Sequence, residues 1–299
     1  MHVQLFDDPA AFLAEAAGYL ESDPFSASVI AVYAGRAGTG RQLKGPNDLW
    51  VTVTEDGRVV GVAMHTPPCR LFVARMPDRA AAVLADALAD QARPLPGVNG
   101  ESAAGAAFAA AWQERTCQKA TVDVRMRMYR LGELHPPTDV TGESRLAGAG
   151  DTGLAAGWAA AYHDEAQPHA PAGDWSAWAA RRIEAGELYL WIEGGVPVAM
   201  AAHSAPAAGV ARVGPVYTPP SLRRSGFGAA VTAAVSAAAL DAGAVHVVLY
   251  TDLSNPTSNA IYQAIGYQPD HDAEERAFLP MGTIQQPARA TPAGRNTVA

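Results

Sequence analysis

The stretch Pro219-Pro220-Ser221-Leu222-Arg223-Arg224-Ser225-Gly226-Phe227-Gly228 sets two arginines and two glycines within its last six residues. Val213-Gly214-Pro215-Val216-Tyr217-Thr218, which precedes it, reads as a strand; the alanine-rich run 229–242, which follows, reads as a helix. A strand that passes through a basic, glycine-bearing turn into a helix has the makings of an anion seat. Glycines let an anion come close, the first N–H groups of a helix have no partner inside it, and its dipole favours negative charge there. Guanidinium groups add donors matched to phosphate oxygens. The turn alone is equally an ordinary helix start with solvated arginines, so the rest of the chain has to decide.

The chain has 299 residues, enough for two domains of ordinary size. About half of it is hydrophobic and only 17% is charged, so a sizeable core is supplied and wholesale disorder is not expected. The net charge of −8 argues against a nucleic-acid-binding surface, so a basic site has to be local. No apolar run is long enough to span a bilayer, and Met1 to Asp8 lacks the charged and apolar regions of a leader, so a cytoplasmic protein without membrane contact is expected. Cys69 and Cys117 have no metal-ligand spacing and are expected to be small core residues in a reducing compartment.

The segment 131–142, with Pro136-Pro137, lacks apolar periodicity and reads as a linker. It divides the chain into a domain over 1–132, a linker over 133–142 and a domain over 143–284, leaving 285–299 as a patternless tail expected to be disordered. The two halves share an order of elements. In the first, 8–20 reads as a helix capped by Asp7 or Asp8, 49–54 and 59–64 as a hairpin, 70–74 as a strand, 78–93 and 103–115 as helices, and 121–131 as strand. In the second, 151–165 and 175–185 read as helices, 188–193 and 196–204 as a hairpin, 211–217 as a strand, 226–242 as a helix, 245–250 as a strand, 256–265 as a helix with Pro256 in its first turn, and 277–281 as a closing strand. Strands alternating with helices predict an α/β fold, two tandem units each with a mixed sheet flanked by helices.

Arg223-Arg224-Ser225-Gly226-Phe227-Gly228 resembles the Arg/Gln-x-x-Gly-x-Gly/Ala pattern of the GNAT N-acetyltransferases, following a strand as in that family. One helix and one strand later, Asn255 is followed seven residues on by Tyr262 and eleven on by Gly266-Tyr267, similar to the family's second signature. The resemblance covers roughly residues 143 to 281. It implies that the backbone of Val216, Tyr217 and Thr218 pairs with the pantetheine arm of acetyl-CoA in the manner of an added strand. It implies further that the amides from Arg224 through Ser225, Gly226 and Phe227 to Gly228, with the Arg223 and Arg224 side chains, hold the pyrophosphate. Asn255 would bond the pantetheine amide, and Tyr262 would protonate the departing thiolate.

Acetyl transfer to an amine needs a neutral nucleophile, hence a base or water chain, N–H donors for the oxyanion, and an acid for the thiolate. Glu187, Glu193, His203 and Asp252 lie where a base could sit, each also readable as a surface or capping residue. Tyr162-His163-Asp164-Glu165 with His169 lies where the family places acceptor contacts; Glu165 is the preferred acceptor-site carboxylate, and the grouping is read as polar loop rather than metal site. Tyr262 is otherwise a core aromatic, and Trp50 and Trp112 are read as core.

The equivalent turn of the first half, Arg75-Met76-Pro77-Asp78-Arg79, has no glycine and carries an acid, and the Asn-to-Tyr signature is missing there. The first half is therefore expected to be a degenerate GNAT-like domain that binds no acetyl-CoA, leaving one active site per chain, as monomer or homodimer. Acetyl-CoA and an amine of a small molecule or peptide are the expected substrates, with no metal. A non-catalytic acyl-CoA-binding module and an unrelated nucleotide- or phosphate-binding protein are the alternatives; the P-loop pattern that would favour the last is absent.

Overall fold

The structure, a computed structural model, describes residues 1–40 and 44–280. The first half runs β1 (His2–Phe6), α1 (Pro9–Ser22), α2 (Ser28–Gly38), β2 (Leu49–Glu55), β3 (Arg58–His65), β4 (Leu71–Val73), α3 (Asp78–Asp90), β5 (Gly97–Glu101), α4 (Ser102–Thr116) and β6 (Gln118–Leu131). The second runs β7 (Glu143–Leu146), α5 (Thr152–Ala166), α6 (Trp175–Glu184), β8 (Leu188–Glu193), β9 (Val196–His203), β10 (Val210–Tyr217), α7 (Phe227–Asp241), β11 (His246–Asp252), α8 (Pro256–Ala264) and β12 (Tyr267–Pro280).

Local chemistry explains many boundaries. Asp8 caps α1, accepting from the N–H groups of Ala10 and Ala11, with Pro9 in the first turn where its missing donor costs nothing. Asn255 caps α8 through Ser258 N–H in the same way, with Pro256 next. Cys117 ends α4 in the left-handed conformation. Both cysteines are exposed, a correction to their expected place in the core: one is this cap and the other sits in the turn before β4.

The strands form one mixed sheet of twelve, in the order β1-β2-β3-β4-β5-β12-β6-β11-β10-β9-β8-β7. Each half contributes five strands in sequence and then sends its last strand across the midline. β12 pairs with β5 of the first half, and β6 pairs with β11 of the second. The two crossing strands also pair with each other along most of their length. The linker thus carries the chain from the middle of the sheet to its far edge.

Alternating residues feed different layers. On one face Trp50, Val62, Met64 and Phe72 pack on α1 and α2, and Leu188, Leu190 and Met200 pack on α5 and α6. On the other, Val51, Val53, Leu71 and Val73 meet α3 and α4, while Ala211, Val213, Val247 and Leu249 meet α7 and neighbours of α8. Trp50 and Trp112 are core residues, as expected. Between the halves, Met128, Val210 and Val248 pack with Phe25 and Tyr250. Glu187 of the second half is buried there between Arg36 of α2, at 2.7 Å, and Arg182 of α6, at 2.6 Å. A buried ion triad adds little net stability, but removing one member strands the others and is costly.

Four elements are missed by sequence pattern: β1, α2, β5 and β7. β12 is also far longer than the expected 277–281, of which Met281 lies outside the described residues, as do 282–284 and the whole expected tail. Its first ten residues include Asp270, Asp272, Glu274 and Glu275, a composition that reads as turn. A strand forms because it has partners on both edges, and because Arg127 and Arg125 of β6 face Asp272 and Glu274 at 2.6 and 3.2 Å.

Candidate functional site

β10 and β11 run parallel only from Val210 to Arg212, opposite His246 to Val248. Beyond Arg212, β10 stays with β9, through Val213, Val216 and Tyr217 and across a bulge, and no longer pairs with β11. The sheet therefore opens between the two strands, leaving the β11 side of the 213–217 backbone without a ladder partner. A bulge at this point is a usual means of re-aiming a strand. Unpaired strand backbone in a gap is what an extended chain can bond to.

The opening leads to the turn before α7. Arg224 and Gly226 both adopt left-handed backbone, φ +67° and +81°, and Gly226 is the N-cap of α7 without a side-chain cap bond. Such alternation turns successive N–H groups to one side, where the helix dipole adds to them. Gly226 has a second reason to be glycine: an added Cβ would lie 2.5 Å from Val140 Cγ2 of the linker, which packs against the turn. Gly228 has only ordinary contact, its added Cβ 3.5 Å from Thr218 Oγ1. Ser225 and Arg224 are exposed, and Phe227 packs partly into the core beneath α7.

Arg223 points elsewhere. Its Nε donates to the Thr218 carbonyl at 2.9 Å and its Nη2 to Glu165 Oε2 at 2.6 Å, with the guanidinium 5.8 Å from the Tyr217 ring centre. Tyr217 donates its hydroxyl to the same carboxylate at 3.3 Å. Glu165 and Arg223, read from sequence as an acceptor carboxylate and a pyrophosphate ligand, are thus one ion pair linking the end of α5 to the turn. In the rest of that polar stretch His163 is buried against Trp175, with Nε2 3.0 Å from the Ala170 carbonyl oxygen and Nδ1 3.3 Å from the carboxylate of the exposed Asp164. Among the described residues no three His, Cys, Asp or Glu side chains gather as metal ligands.

α8 carries Asn255 at its start and Tyr262 two turns on. Asn255 is exposed, and its Oδ1 is committed to the cap, leaving its side-chain N–H groups as the available donors. Tyr262 is partly buried, edge-on to Tyr267 at 6.1 Å between ring centres. Burial, then the nearby Tyr162 and Tyr267 phenols, hold its pKa well above the ordinary tyrosine range. Such a phenol keeps its proton through neutral pH. Of the base candidates, Glu187 is locked between two arginines, Glu193 accepts from Thr141 at 2.9 Å, His203 Nδ1 lies 3.0 Å from the Ser204 carbonyl, and Asp252 accepts from Ser254 N–H at 2.7 Å.

In the first half the matching gap is closed. β4 is only three residues long and pairs with β5 throughout, and Gly100 brings β5 so near that an added Cβ would lie 1.9 Å from the Val73 carbonyl oxygen. The backbone after β4 is already bonded: Tyr19 donates to the Arg75 carbonyl, and Arg75 N–H donates to Ser26 at 3.1 Å. Met76 is buried.

An opened β10–β11 pair beside a left-handed turn at a helix start defines this class of protein, and comparison with known proteins agrees. Residues 155–267 match the acetyltransferase (GNAT) family model. The second half of the chain belongs to the GNAT superfamily, whose general activity is acetyl-CoA-dependent acetyl transfer. No curated protein matches the chain. Among solved structures, a GCN5-related N-acetyltransferase from Sphaerobacter thermophilus is 18% identical with a TM-score of 0.58, the match covering 92% of this chain and 95% of that one. A GNAT-family acetyltransferase from Colwellia psychrerythraea is 14% identical with a TM-score of 0.56, covering 93% and 99%. A tandem GNAT protein from the clavulanic acid biosynthesis pathway is 13% identical with a TM-score of 0.51, covering 95% and 100%. These likenesses establish the tandem fold across both halves.

Proposed function

We propose that the chain is an N-acetyltransferase that moves an acetyl group from acetyl-CoA to a primary amine of a small molecule or peptide, by direct attack in a ternary complex. The observation that carries this reading is the opened β10–β11 edge running into the Arg224–Gly228 turn. The residues fit the cosubstrate: the β11 side of the Val216–Tyr217 backbone, with Thr218 once Arg223 releases its carbonyl, suits a pantetheine amide chain, and the turn's N–H groups with Arg224 suit a pyrophosphate. Acetyl-CoA supplies the activated acyl group. The chain's own parts do the rest. Backbone N–H in the opened strand is available to the oxyanion, and Tyr262, held protonated, donates to the sulfur as the C–S bond breaks and regains a proton from the ammonium nitrogen of the tetrahedral intermediate, so that no free phenolate is left. Asn255 offers its amide N–H groups to the pantetheine arm. Arg223 joins the pyrophosphate site once it leaves Glu165, which then faces the acceptor side. The first half, with its gap closed and its turn internally bonded, is read as a scaffold that binds no acetyl-CoA.

The alternative, a module that binds acyl-CoA without turnover, is favoured by one observation: the base candidates named above are all engaged by other groups. Thiol release from acetyl-CoA over a panel of primary amines, beside calorimetric CoA binding, separates the two. Binding with amine-dependent release supports the enzyme, and binding with no release under any amine leaves the module. Absence of CoA binding overturns both.

A further inference from the structure

We infer that Tyr129, on the strand that the first half sends across the midline, is a positioning residue of the acetyl-transfer site, fixing α8 and hence Tyr262 and Asn255. Tyr129 is buried in β6, and its hydroxyl meets α8 at two points one turn apart. It donates to Asn259 Oδ1 at 3.0 Å and receives from Gln263 Nε2 at 3.3 Å. Asn259 passes the connection on, donating to the Asp252 carbonyl at 2.9 Å and the Asn255 carbonyl at 2.7 Å. One phenol therefore ties together the end of β11, the Asn255 cap and the two helix positions that bracket Tyr262.

The fold supplies its own control. β6 and β12 each follow a helix that ends at a positive φ, Cys117 after α4 and Gly266 after α8, and the twelfth residue on from these is Tyr129 in β6 and Phe278 in β12. Phe278 meets the first half's helix α4 at two residues one turn apart, Phe108 and Trp112, by ring stacking at 6.4 and 5.6 Å. The same place in the architecture is thus filled by apolar stacking in the half without a cradle and by a hydrogen-bonded relay in the half that has one. Packing alone is served by the apolar solution, since a net hydrogen bond adds little and an imperfect one costs. The polar version gives orientation, which a donor of one proton to one sulfur needs to within fractions of an ångström.

The inference rests on Tyr262 as the proton donor, and the test separates the two. Tyr129→Phe removes one oxygen and copies the residue at the equivalent position. With the amine substrate found in the panel, kcat is expected to fall roughly tenfold while the KM for acetyl-CoA stays within about twofold, because the pyrophosphate turn is untouched. Backbone hydrogen exchange over 256–264 should speed up, with β6 and β12 unchanged. Asn259→Ala should reproduce both effects, so the outcome does not hang on one variant. Unchanged kcat and unchanged exchange overturn the inference, as does a kcat loss that only follows a falling melting temperature. If Tyr262→Phe keeps full turnover, the Tyr262 reading fails, while exchange in α8 still reports whether Tyr129 holds the helix.

Discussion

Glu165 Oε2 lies 2.6 Å from Arg223 Nη2, so the end of α5 is fastened to the turn that opens α7. Both side chains are more than two-fifths exposed, and a pair this open adds at most about 1 kcal/mol to stability. Its consequence is for binding. On the proposed function, a pyrophosphate in the turn would compete with Glu165 for the same guanidinium. Glu165→Gln should leave the melting temperature within about 2 °C and tighten CoA binding by roughly two- to fivefold, read by calorimetry. Weaker binding would show that Glu165 does not compete for Arg223.

The two glycines of the turn should part company on mutation. Gly226→Ala forces a Cβ into Val140 at a left-handed position and should cost about 1–2 kcal/mol of stability besides weakening CoA. Val140→Ala in that background should restore part of the stability. Gly228→Ala meets only Thr218 Oγ1 at ordinary distance, so a loss of CoA affinity there, with urea midpoint unchanged, isolates the cradle from the fold. Full affinity in Gly228→Ala with bulkier replacements equally tolerated speaks against the cradle.

Tyr262→Phe should lower turnover by roughly 10²-fold with acetyl-CoA binding retained, since general-acid assistance has about that size. Because burial raises the phenol's pKa, the wild-type rate should show no loss from this group on the alkaline side until above the ordinary tyrosine pKa of about 10. A rate that falls near pH 8 together with Tyr262 ionisation would contradict the assignment.

His65 gives a pH signature to the first half. Burial, reinforced by the Arg93 charge and opposed by the Cys69 backbone, lowers its pKa to about 4. An unfolded histidine binds its proton near pH 6.5, so between about 6.5 and 4 the unfolded chain takes up a proton that the folded chain refuses. The stability of the neutral, buried form is complete above that window and lost as pH falls through it, by about 3 kcal/mol. Denaturation curves for His65→Leu should diverge from wild type across that range, and parallel curves would remove His65 from the account.

The strand exchange predicts that neither half stands alone. A chain beginning at Gly142 lacks β5 and β6 and so leaves one edge of β11 and both edges of β12 bare, an aggregation-prone arrangement. Expressed separately, the halves should be insoluble or self-associated; expressed together, they should form a soluble complex that binds CoA. A monomeric, CoA-binding second half would show the exchange to be dispensable.

The sequence by itself determined the parts whose causes are local. Pro256 after Asn255, the Arg223-to-Gly228 turn and the alternating apolar runs of β8 to β10 dictate cap, turn and strands through the bonds of neighbouring residues, and the family resemblance rested on these. It also showed that the first half's turn lacks the glycine of the second. What only the tertiary structure decided has non-local causes. β12 reads as a charged turn until β5 and β6 supply partners for both of its edges. Val140 is an unremarked linker residue until the linker folds back onto Gly226. Tyr129 belongs to one half by sequence and serves the other, because β6 crosses the midline. Glu165 and Arg223, assigned separate duties by pattern, share one ion pair because the end of α5 lies beside the turn, a proximity that no spacing along the chain encodes.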